Sequence, residues 1–202
     1  MPDKKLPMEN VIAADRTRCA WAEVSPSERQ YHDEEWGVPL RDDQRLFELL
    51  CLEGAQAGLS WRTVLEKRMH YWQVYHQFDI AAVAAMTDDE LEALLEDKGI
   101  IRNRLKVFGF RKNAQAAQKM IQQHGSLAQY LWQFVDGQPV VNHWQAEADV
   151  PARTEQSDAM SHQLKKDGFT FVGSTICYAF MQASGMVNDH VVGCWRHPDN
   201  LL

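Results

Sequence analysis

The chain has 202 residues, of which 45% are hydrophobic, enough to form one domain without disulfides. Its formal net charge of −7 excludes a protein that coats DNA through a global positive field, so any DNA binding must come from a local patch. No apolar run approaches the ~20 residues of a membrane span, and residues 1–18 lack the apolar centre of a signal peptide. We therefore expect a cytoplasmic protein without membrane contact, whose residues 1–15 form a flexible extension.

Apolar residues recur at helical spacing through most of the chain. The spacing predicts helices, in chain order, over 42–53, 61–75, 87–98, 103–123, 126–136, 157–167 and 173–184. Glycines are expected to end four of them, and the third begins with a capping-box sequence at Thr87. A loop is predicted over 138–154, and 169–172 is the best candidate for a strand. The fold is therefore predicted to be all-α.

Two cysteines and two histidines lie near the two ends of the chain. Twelve residues separate Cys19 from His32, and three separate His190 from Cys194. Thiolate and imidazole are natural ligands of Zn²⁺, and four of them complete a tetrahedron with no open position for a reactive water. The spacing fits a structural zinc site, and it fits equally well two buried cysteines and two surface histidines. Two further side chains compete as ligands: His197 and Cys177.

A basic stretch begins at 98–102, where a tight turn with Gly99 and Ile100 joins two predicted helices. Such a turn can direct backbone N–H groups and a helix N-terminus at a phosphate. The region 98–112 contains no acidic residue. Its six basic residues are Lys98, Arg102, Arg104, Lys106, Arg111 and Lys112. A solvated helix face has the same pattern, but the glycine turn favours contact with the DNA backbone.

Glu53 follows an apolar helical segment and precedes a run of small residues. A carboxylate in this position is either solvated at a helix end or buried with a partner. The aromatic residues Tyr31 and Trp36 precede it in the sequence, and Trp61 follows it. These residues indicate a stacking pocket around Glu53, although aromatic residues at such positions could equally belong to the core.

Seven ordered segments, which together extend over most of the chain, resemble the constitutive type I DNA-3-methyladenine glycosylase family. They are 18–21 (RCAW), 31–39 (YHDEEWGVP), 46–48 (LFE), 51–61 (CLEGAQAGLSW), 99–103 (GIIRN), 171–178 (FVGSTICY) and 188–190 (NDH). The resemblance implies a helix-hairpin-helix DNA glycosylase fold: a monomer with a single domain over 16–202, in two packed helical lobes. It also implies one structural zinc ion that joins the N- and C-terminal segments through Cys19, His32, His190 and Cys194.

The resemblance further implies a base pocket lined by Tyr31, Glu53 and Trp61, with Trp21 as an additional wall. Glu53 would accept hydrogen bonds from the modified adenine, and Trp61 would stack on it. Two other groups of residues are implied to contact DNA. They are Ala57, Gly58 and Leu59 in a loop that enters the DNA when a base leaves the stack, and Gly99, Ile100 and Arg102 at the hairpin that contacts the backbone.

The implied reaction is hydrolysis of the N-glycosidic bond of a flipped 3-methyladenine in double-stranded alkylated DNA, with the free base as product. The family lacks the catalytic Asp of related enzymes, and no lysine is evident as a Schiff-base nucleophile, so strand cleavage is not expected. Ala20 stands where the family often has glycine. Two alternatives remain from the residues alone, namely a non-catalytic zinc-containing DNA-binding module and a metal-dependent hydrolase.

Overall fold

The computed structural model describes residues 16–201, so the prediction of a flexible extension over 1–15 lies outside the described residues. The described part is mostly helical and also contains two short strands. Its ten α-helices are α1 (Pro26–Glu34), α2 (Asp43–Gln56), α3 (Trp61–Leu65), α4 (Arg68–Val74), α5 (Ile80–Ala85), α6 (Asp88–Leu94), α7 (Arg104–His124), α8 (Leu127–Trp132), α9 (Glu155–Lys166) and α10 (Ser174–Ala183). Strands β1 (Val140–Val141) and β2 (Val187–Asn188) pair in parallel.

Polar side chains begin most of these helices. At eight of the ten α-helices within 16–201, the residue before the helix accepts a hydrogen bond from a backbone N–H of the first turn, which satisfies a donor that has no partner inside the helix. The capping box predicted at Thr87 is confirmed, because Glu90 bonds back to the Thr87 backbone. These caps explain why the helix starts could be predicted more closely than the ends.

The predicted strand over 169–172 is wrong. Phe171 has a φ of +56°, which interrupts an extended backbone. The backbone of Thr170 is bonded on both sides to the Asn113 side chain, through its N–H at 2.8 Å and its carbonyl at 3.1 Å. A single asparagine therefore takes the place of a neighbouring strand, and the two strands that do form lie elsewhere.

Other boundaries differ from the prediction because local hydrogen bonds compete with the helices. The 61–75 helix is divided into α3 and α4 by a turn in which the N–H of Lys67 bonds to the carbonyl of Val64. Helix α6 ends at Leu94 instead of continuing to Gly99, since the next three N–H groups bond to carbonyls three residues back and not four. The Asp97 carboxylate then accepts the Gly99 N–H at 2.7 Å. Helices α1 and α5 were not predicted, and β1 lies within the predicted loop over 138–154.

Helix α2 passes through the centre of the hydrophobic core. Ten consecutive residues, from Leu46 to Ala55, are buried, so this helix is covered on all sides. It packs against α7, α8 and α10. Two carboxylates are carried into the interior in this way: Glu48, which pairs with Arg68 at 2.7 Å, and Glu53.

No helix in the described part of the chain has the length and hydropathy needed to cross a bilayer.

The end of α10 makes a close backbone contact that a glycine permits. Gly185 has a φ of +67°, and a Cβ at this position would lie 2.3 Å from the carbonyl carbon of Val38. We expect Gly185→Ala to lower the free energy of unfolding by at least about 2 kcal/mol, through the positive φ and the clash. Gly173→Ala is the matched control at the other end of α10, where an added Cβ meets nothing within 4 Å. Urea unfolding measures both, and equal effects would contradict this account.

Candidate active site and metal centre

Cys19, His32, His190 and Cys194 come together in one buried cluster. The Cys194 Sγ lies 3.4 Å from both the His32 Nε2 and the His190 Nδ1, and the Cys19 Sγ lies 3.8 Å from the His190 Nδ1. Ligands around a tetrahedral zinc ion stand about 3.5 Å apart, given zinc–sulfur and zinc–nitrogen bonds of about 2.3 and 2.1 Å. The donor set and its spacing therefore fit such an ion.

The two imidazole rings are oriented by partners outside the cluster. The Nδ1 of His32 lies 2.9 Å from the Asp33 carboxylate, and the Nε2 of His190 donates to the carbonyl of Trp36 at 3.0 Å. These bonds leave the other ring nitrogen of each histidine directed at the cysteines, as in metal sites with a second layer of hydrogen bonds. Asp33 is itself fixed by Arg18 at 2.8 Å, so the orientation of His32 depends on a chain of contacts.

The two rival ligands lie outside the cluster. The Cys177 thiol donates to the carbonyl of Val172 in the core, at 3.4 Å. His197 is bonded to the carbonyl of Asn142 at 3.1 Å and groups with His143 and Asp199. The structure thus separates four candidate ligands from two others, a distinction that sequence spacing alone left open.

A cleft of about 450 Å³ opens beside the cluster. It brings together all four residues predicted for the base pocket: Trp21, Tyr31, Glu53 and Trp61. Tyr31 is the central aromatic residue, with ring centroids 6.3 Å from Trp21 and 5.2 Å from Trp61. The other walls come from the loop after β1, including Val150 and Pro151, and from one face of α10. An aromatic slot of this kind can accept a planar ring.

Glu53 is a buried carboxylate at the base of this cleft. Its residue exposure is 4%, and among residues 16–201 no side chain or backbone N–H donates a hydrogen bond to it. Burial raises the pKa of Glu53 to about 8. Burial without a partner is costly for a carboxylate, so this position is typical of a group that meets its partner in a ligand.

Two hydrogen-bond donors in the same cleft also lack partners. The hydroxyl of Tyr31 and the Nε1 of Trp61 are buried and make no hydrogen bond within the described residues. Burial, followed by the charge of Glu53, raises the pKa of Tyr31, so its hydroxyl stays protonated as a donor. Native proteins rarely leave buried polar atoms unsatisfied, and both of these atoms belong to residues that line the same cleft. The cleft is therefore suited to a flat ligand with polar edges.

Several cleft residues were not identified from the sequence. They are Glu28, Gln56, Glu147, Thr175, Tyr178, Gln182 and Asp189. Asp189 is buried and accepts four hydrogen bonds, from Asn142, Trp144, Tyr178 and Gln182. The neighbouring predicted ligand His190 was a sequence signal that could have pointed to Asp189. Nothing in the sequence shows that residues 142–152 fold over the cleft. Trp36 lines the cleft and also packs on His190, at 4.6 Å between ring centroids.

The loop predicted to enter DNA lies outside the cleft. Gly58, with a φ of +77°, and Leu59 are exposed in the turn between α2 and α3, and Leu59 has an exposure of 43%. Lys106 supports this turn from α7. Its Nζ donates to the carbonyls of Ala55 and Ala57, each at 2.7 Å, and burial lowers its pKa.

The basic stretch over 98–112 is only partly available to a ligand. Lys106 points inward, Arg111 bonds to the Met86 carbonyl and Asp88, and Arg104 pairs with Glu92. The remaining basic residues, Lys98, Arg102 and Lys112, are exposed. At the predicted hairpin the Gly99 N–H bonds to Asp97, and Ile100 is buried. A phosphate contact at this turn would therefore depend mainly on Lys98 and Arg102.

Comparison with known proteins gives consistent matches along nearly the whole chain. A curated relative from Escherichia coli (strain K12), named DNA-3-methyladenine glycosylase 1, is 51% identical over 91% of this chain and 98% of its own length. A DNA-3-methyladenine glycosylase from Haemophilus influenzae is 46% identical over 88% of this chain and 96% of its own.

Solved structures agree with these relatives. A crystal structure of 3-methyladenine DNA glycosylase I has a TM-score of 0.87 at 50% identity and covers 90% of this chain and 100% of that one. A Staphylococcus aureus structure, described as showing the basis of 3-methyladenine recognition, has a TM-score of 0.87 at 33% identity, over 90% and 96% of the two chains. The methyladenine glycosylase family itself matches residues 21–197. The chain therefore belongs to the methyladenine glycosylase family, and it is an enzyme that acts on N-glycosyl bonds.

Proposed function

We propose that this enzyme removes 3-methyladenine from alkylated double-stranded DNA by hydrolysing its N-glycosidic bond after the nucleotide has been flipped out of the helix. The observation that carries the proposal is the partnerless Glu53 carboxyl in an aromatic cleft, beside the unsatisfied Tyr31 and Trp61 donors. A flat base with donors and acceptors on its edge complements the Glu53 carboxyl and the Tyr31 hydroxyl, while the Trp61 ring offers a face for stacking. The substrate assignment is supported by the names of the relatives.

The positive charge of the methylated base explains how so few protein groups suffice to promote cleavage of the N-glycosidic bond. Methylation at N3 makes the base a good leaving group, and the sugar becomes oxocarbenium-like as the bond breaks. A cationic purine stacks favourably on the electron-rich face of Trp61, an interaction of about 0.5–2 kcal/mol. Flipping costs a few kcal/mol and costs least for a damaged base. Binding and orientation in the cleft therefore provide much of the selectivity.

Glu53 serves mainly to recognise the base in this proposal, and its electrostatic contribution to bond cleavage is secondary. In the free protein its pKa of about 8 keeps the carboxyl largely protonated at neutral pH. A cationic base beside it favours the carboxylate, which then accepts hydrogen bonds from the base edge. Base binding would thus release a proton from Glu53. In a cleft with little water, the resulting charge pair is stronger than in bulk solvent.

The proposed reaction does not include strand cleavage. No lysine is among the cleft-lining residues of the described chain. The lysine with a lowered pKa, Lys106, uses its ammonium to hold two carbonyls of the α2–α3 turn. A Schiff-base nucleophile would need an amine that can reach the sugar. The enzyme is therefore proposed to be monofunctional and to leave an abasic site.

The DNA backbone is proposed to bind at the α6–α7 junction, which would act as the hairpin of a helix-hairpin-helix element. Lys98 and Arg102 are exposed there, and the N-terminus of α7 follows directly. Such contacts position the protein on DNA without reading its sequence. The exposed Leu59 would fill the space that the flipped base leaves in the stack.

The cluster of Cys19, His32, His190 and Cys194 is proposed to hold one structural zinc ion. Four protein ligands leave no position for a reactive water, and all four are buried. The ion would stabilise the fold by joining the two ends of the described chain, because the unfolded chain does not offer a preformed site.

Replacing the cleft carboxylate tests the function directly. We expect Glu53→Gln to lower the rate of 3-methyladenine release from methylated duplex DNA about 10- to 100-fold, which corresponds to loss of one charge-assisted hydrogen bond. Glu66→Gln, at an exposed glutamate of the α3–α4 turn, is the matched control and should retain full activity. The wild type should leave abasic DNA without a borohydride-trapped adduct. An unchanged rate and base affinity in Glu53→Gln would rule out the proposed role.

The burial of Glu53 also predicts how stability depends on pH. Its pKa is raised from 4.5 to about 8 in the folded protein, because the folded state favours the protonated carboxyl. The contribution of this protonated form to the free energy of unfolding is therefore complete below about pH 4.5 and is lost as the pH rises through 8. From about pH 5 to pH 9, the wild type should therefore lose on the order of 3 kcal/mol relative to Glu53→Gln. Urea unfolding of both proteins at each pH measures the difference. Parallel pH profiles would contradict it.

Metal analysis and thermal unfolding test the cluster. We expect one zinc ion per chain in the wild type, and loss of that ion together with a large fall in melting temperature in Cys194→Ser. Cys177→Ser replaces another buried cysteine outside the cluster and should keep the ion. A chelated protein that kept its melting temperature but lost activity would instead indicate a catalytic metal.

A further inference from the structure

We propose that Glu28 is a second recognition carboxylate of the cleft, and that it favours a positively charged base over a neutral base of the same shape. This inference rests on the proposed function, because it concerns the ligand of the same cleft. Glu28 lies in α1, lines the cleft and has an exposure of 9%. It was absent from the residues predicted for the pocket.

One oxygen of the Glu28 carboxylate is fixed by two donors. Its Oε2 accepts the hydroxyl of Ser25 at 2.8 Å and the Nε of Arg62 at 3.2 Å. Ser25 caps α1, and Arg62 follows the stacking residue Trp61 in α3, so the carboxylate bridges the two helices that carry cleft aromatics. This anchoring limits the rotamers of a side chain that would otherwise be flexible.

The other oxygen, Oε1, accepts no hydrogen bond within residues 16–201. The carboxylates that line the cleft differ in this respect. Asp189 has both oxygens occupied by four donors, and Glu147 lies exposed at the edge, where it accepts the N–H of Trp21. Glu53 and the Oε1 of Glu28 are therefore the carboxylate acceptors among the acidic cleft residues that remain for a ligand.

The charge distribution around the cleft indicates what such acceptors would select. Four acidic residues line it, and neither lysine nor arginine does so in the described chain. Arg62 neutralises Glu28 only in part, because it approaches one oxygen from outside the cleft lining and its own side chain is 41% exposed. A residual negative potential at the mouth attracts a cationic base and offers little to a neutral one.

A purely structural role for Glu28 is the alternative, since its contact with Ser25 also stabilises the start of α1. The two roles predict different results. Loss of a structural contact would weaken the binding of every ligand to the same degree, whereas loss of a charge would weaken the binding of cations selectively. Glutamine keeps an amide oxygen that can accept from Ser25 and Arg62, so Glu28→Gln removes the charge and largely preserves the contacts.

The experiment compares two duplexes that differ only in the charge of the lesion. One contains 3-methyladenine, and its half-saturating enzyme concentration and rate are measured under single-turnover conditions. The other contains 3-methyl-3-deazaadenine, a neutral base of the same shape, and its dissociation constant is measured. We expect Glu28→Gln to raise the half-saturating concentration for 3-methyladenine about tenfold, while the saturating rate and the affinity for the neutral duplex change less than about twofold.

Glu28→Asp keeps the charge and should restore most of the preference, and it provides a second test if Glu28→Gln unfolds. Glu66→Gln controls for loss of a negative charge elsewhere. Equal weakening of both duplexes by Glu28→Gln, or no weakening of either, would overturn the inference, as would an aspartate variant that behaves like glutamine. Failure of the proposed function would be distinct, because the wild type would then release no 3-methyladenine.

Discussion

The convergence of Cys19, His32, His190 and Cys194 is the constraint on which the cleft depends. The first pair lies near the start of the described chain and the second near its end, yet their ligand atoms lie within 4.8 Å of one another. Cleft residues stand beside them in the sequence: Tyr31 precedes His32, and Asp189 precedes His190. Fixing the cluster therefore fixes two walls of the cleft. Separating the two ends would displace both of these walls.

The cluster brings the two ends of the described chain together, whereas the burial of Glu53 is unfavourable for the fold. Helix α2 is buried over ten consecutive residues, and a leucine at its end would suit that environment better than a carboxyl group. Glu48 occupies the same helix, but Arg68 compensates its charge. These two glutamates of one helix differ in whether the protein supplies a partner. Glu48 has its partner within the protein, whereas Glu53 has none among the described residues.

Sequence reasoning reached the parts of this structure that depend on local chemistry. Helix periods and the Thr87 capping box were predicted well, because both are set by residues a few positions apart. The four pocket residues came from the family resemblance, and the cleft geometry brings them together. The resemblance also implied the ligand set of the cluster, and the contacts now distinguish it from His197 and Cys177.

Several features that sequence reasoning missed depend on distant partners, in contrast to the locally capped helices α1 and α5. Phe171 turns where a strand was predicted because the Asn113 side chain, 57 positions from Thr170, binds the adjacent backbone. Lys106 belongs to a basic stretch, and only the fold shows that it turns inward to the carbonyls of α2. In the sequence Glu28 is an ordinary residue of the first turn of a helix, and only the fold shows that it lies beside Arg62 and the cleft.

The inward turn of Lys106 has a mechanical consequence. Helix α7 begins at the basic junction, and Lys106 in its first turn donates to the two carbonyls where α2 ends and the Leu59 turn begins. If the junction holds a phosphate, the Leu59 turn cannot move independently of it, because the same helix carries both. The distance between the DNA phosphate bound at the junction and the Leu59 side chain is then constant. Under the proposed mode of binding, Leu59 would therefore meet the DNA at a set distance from the phosphate that the junction holds.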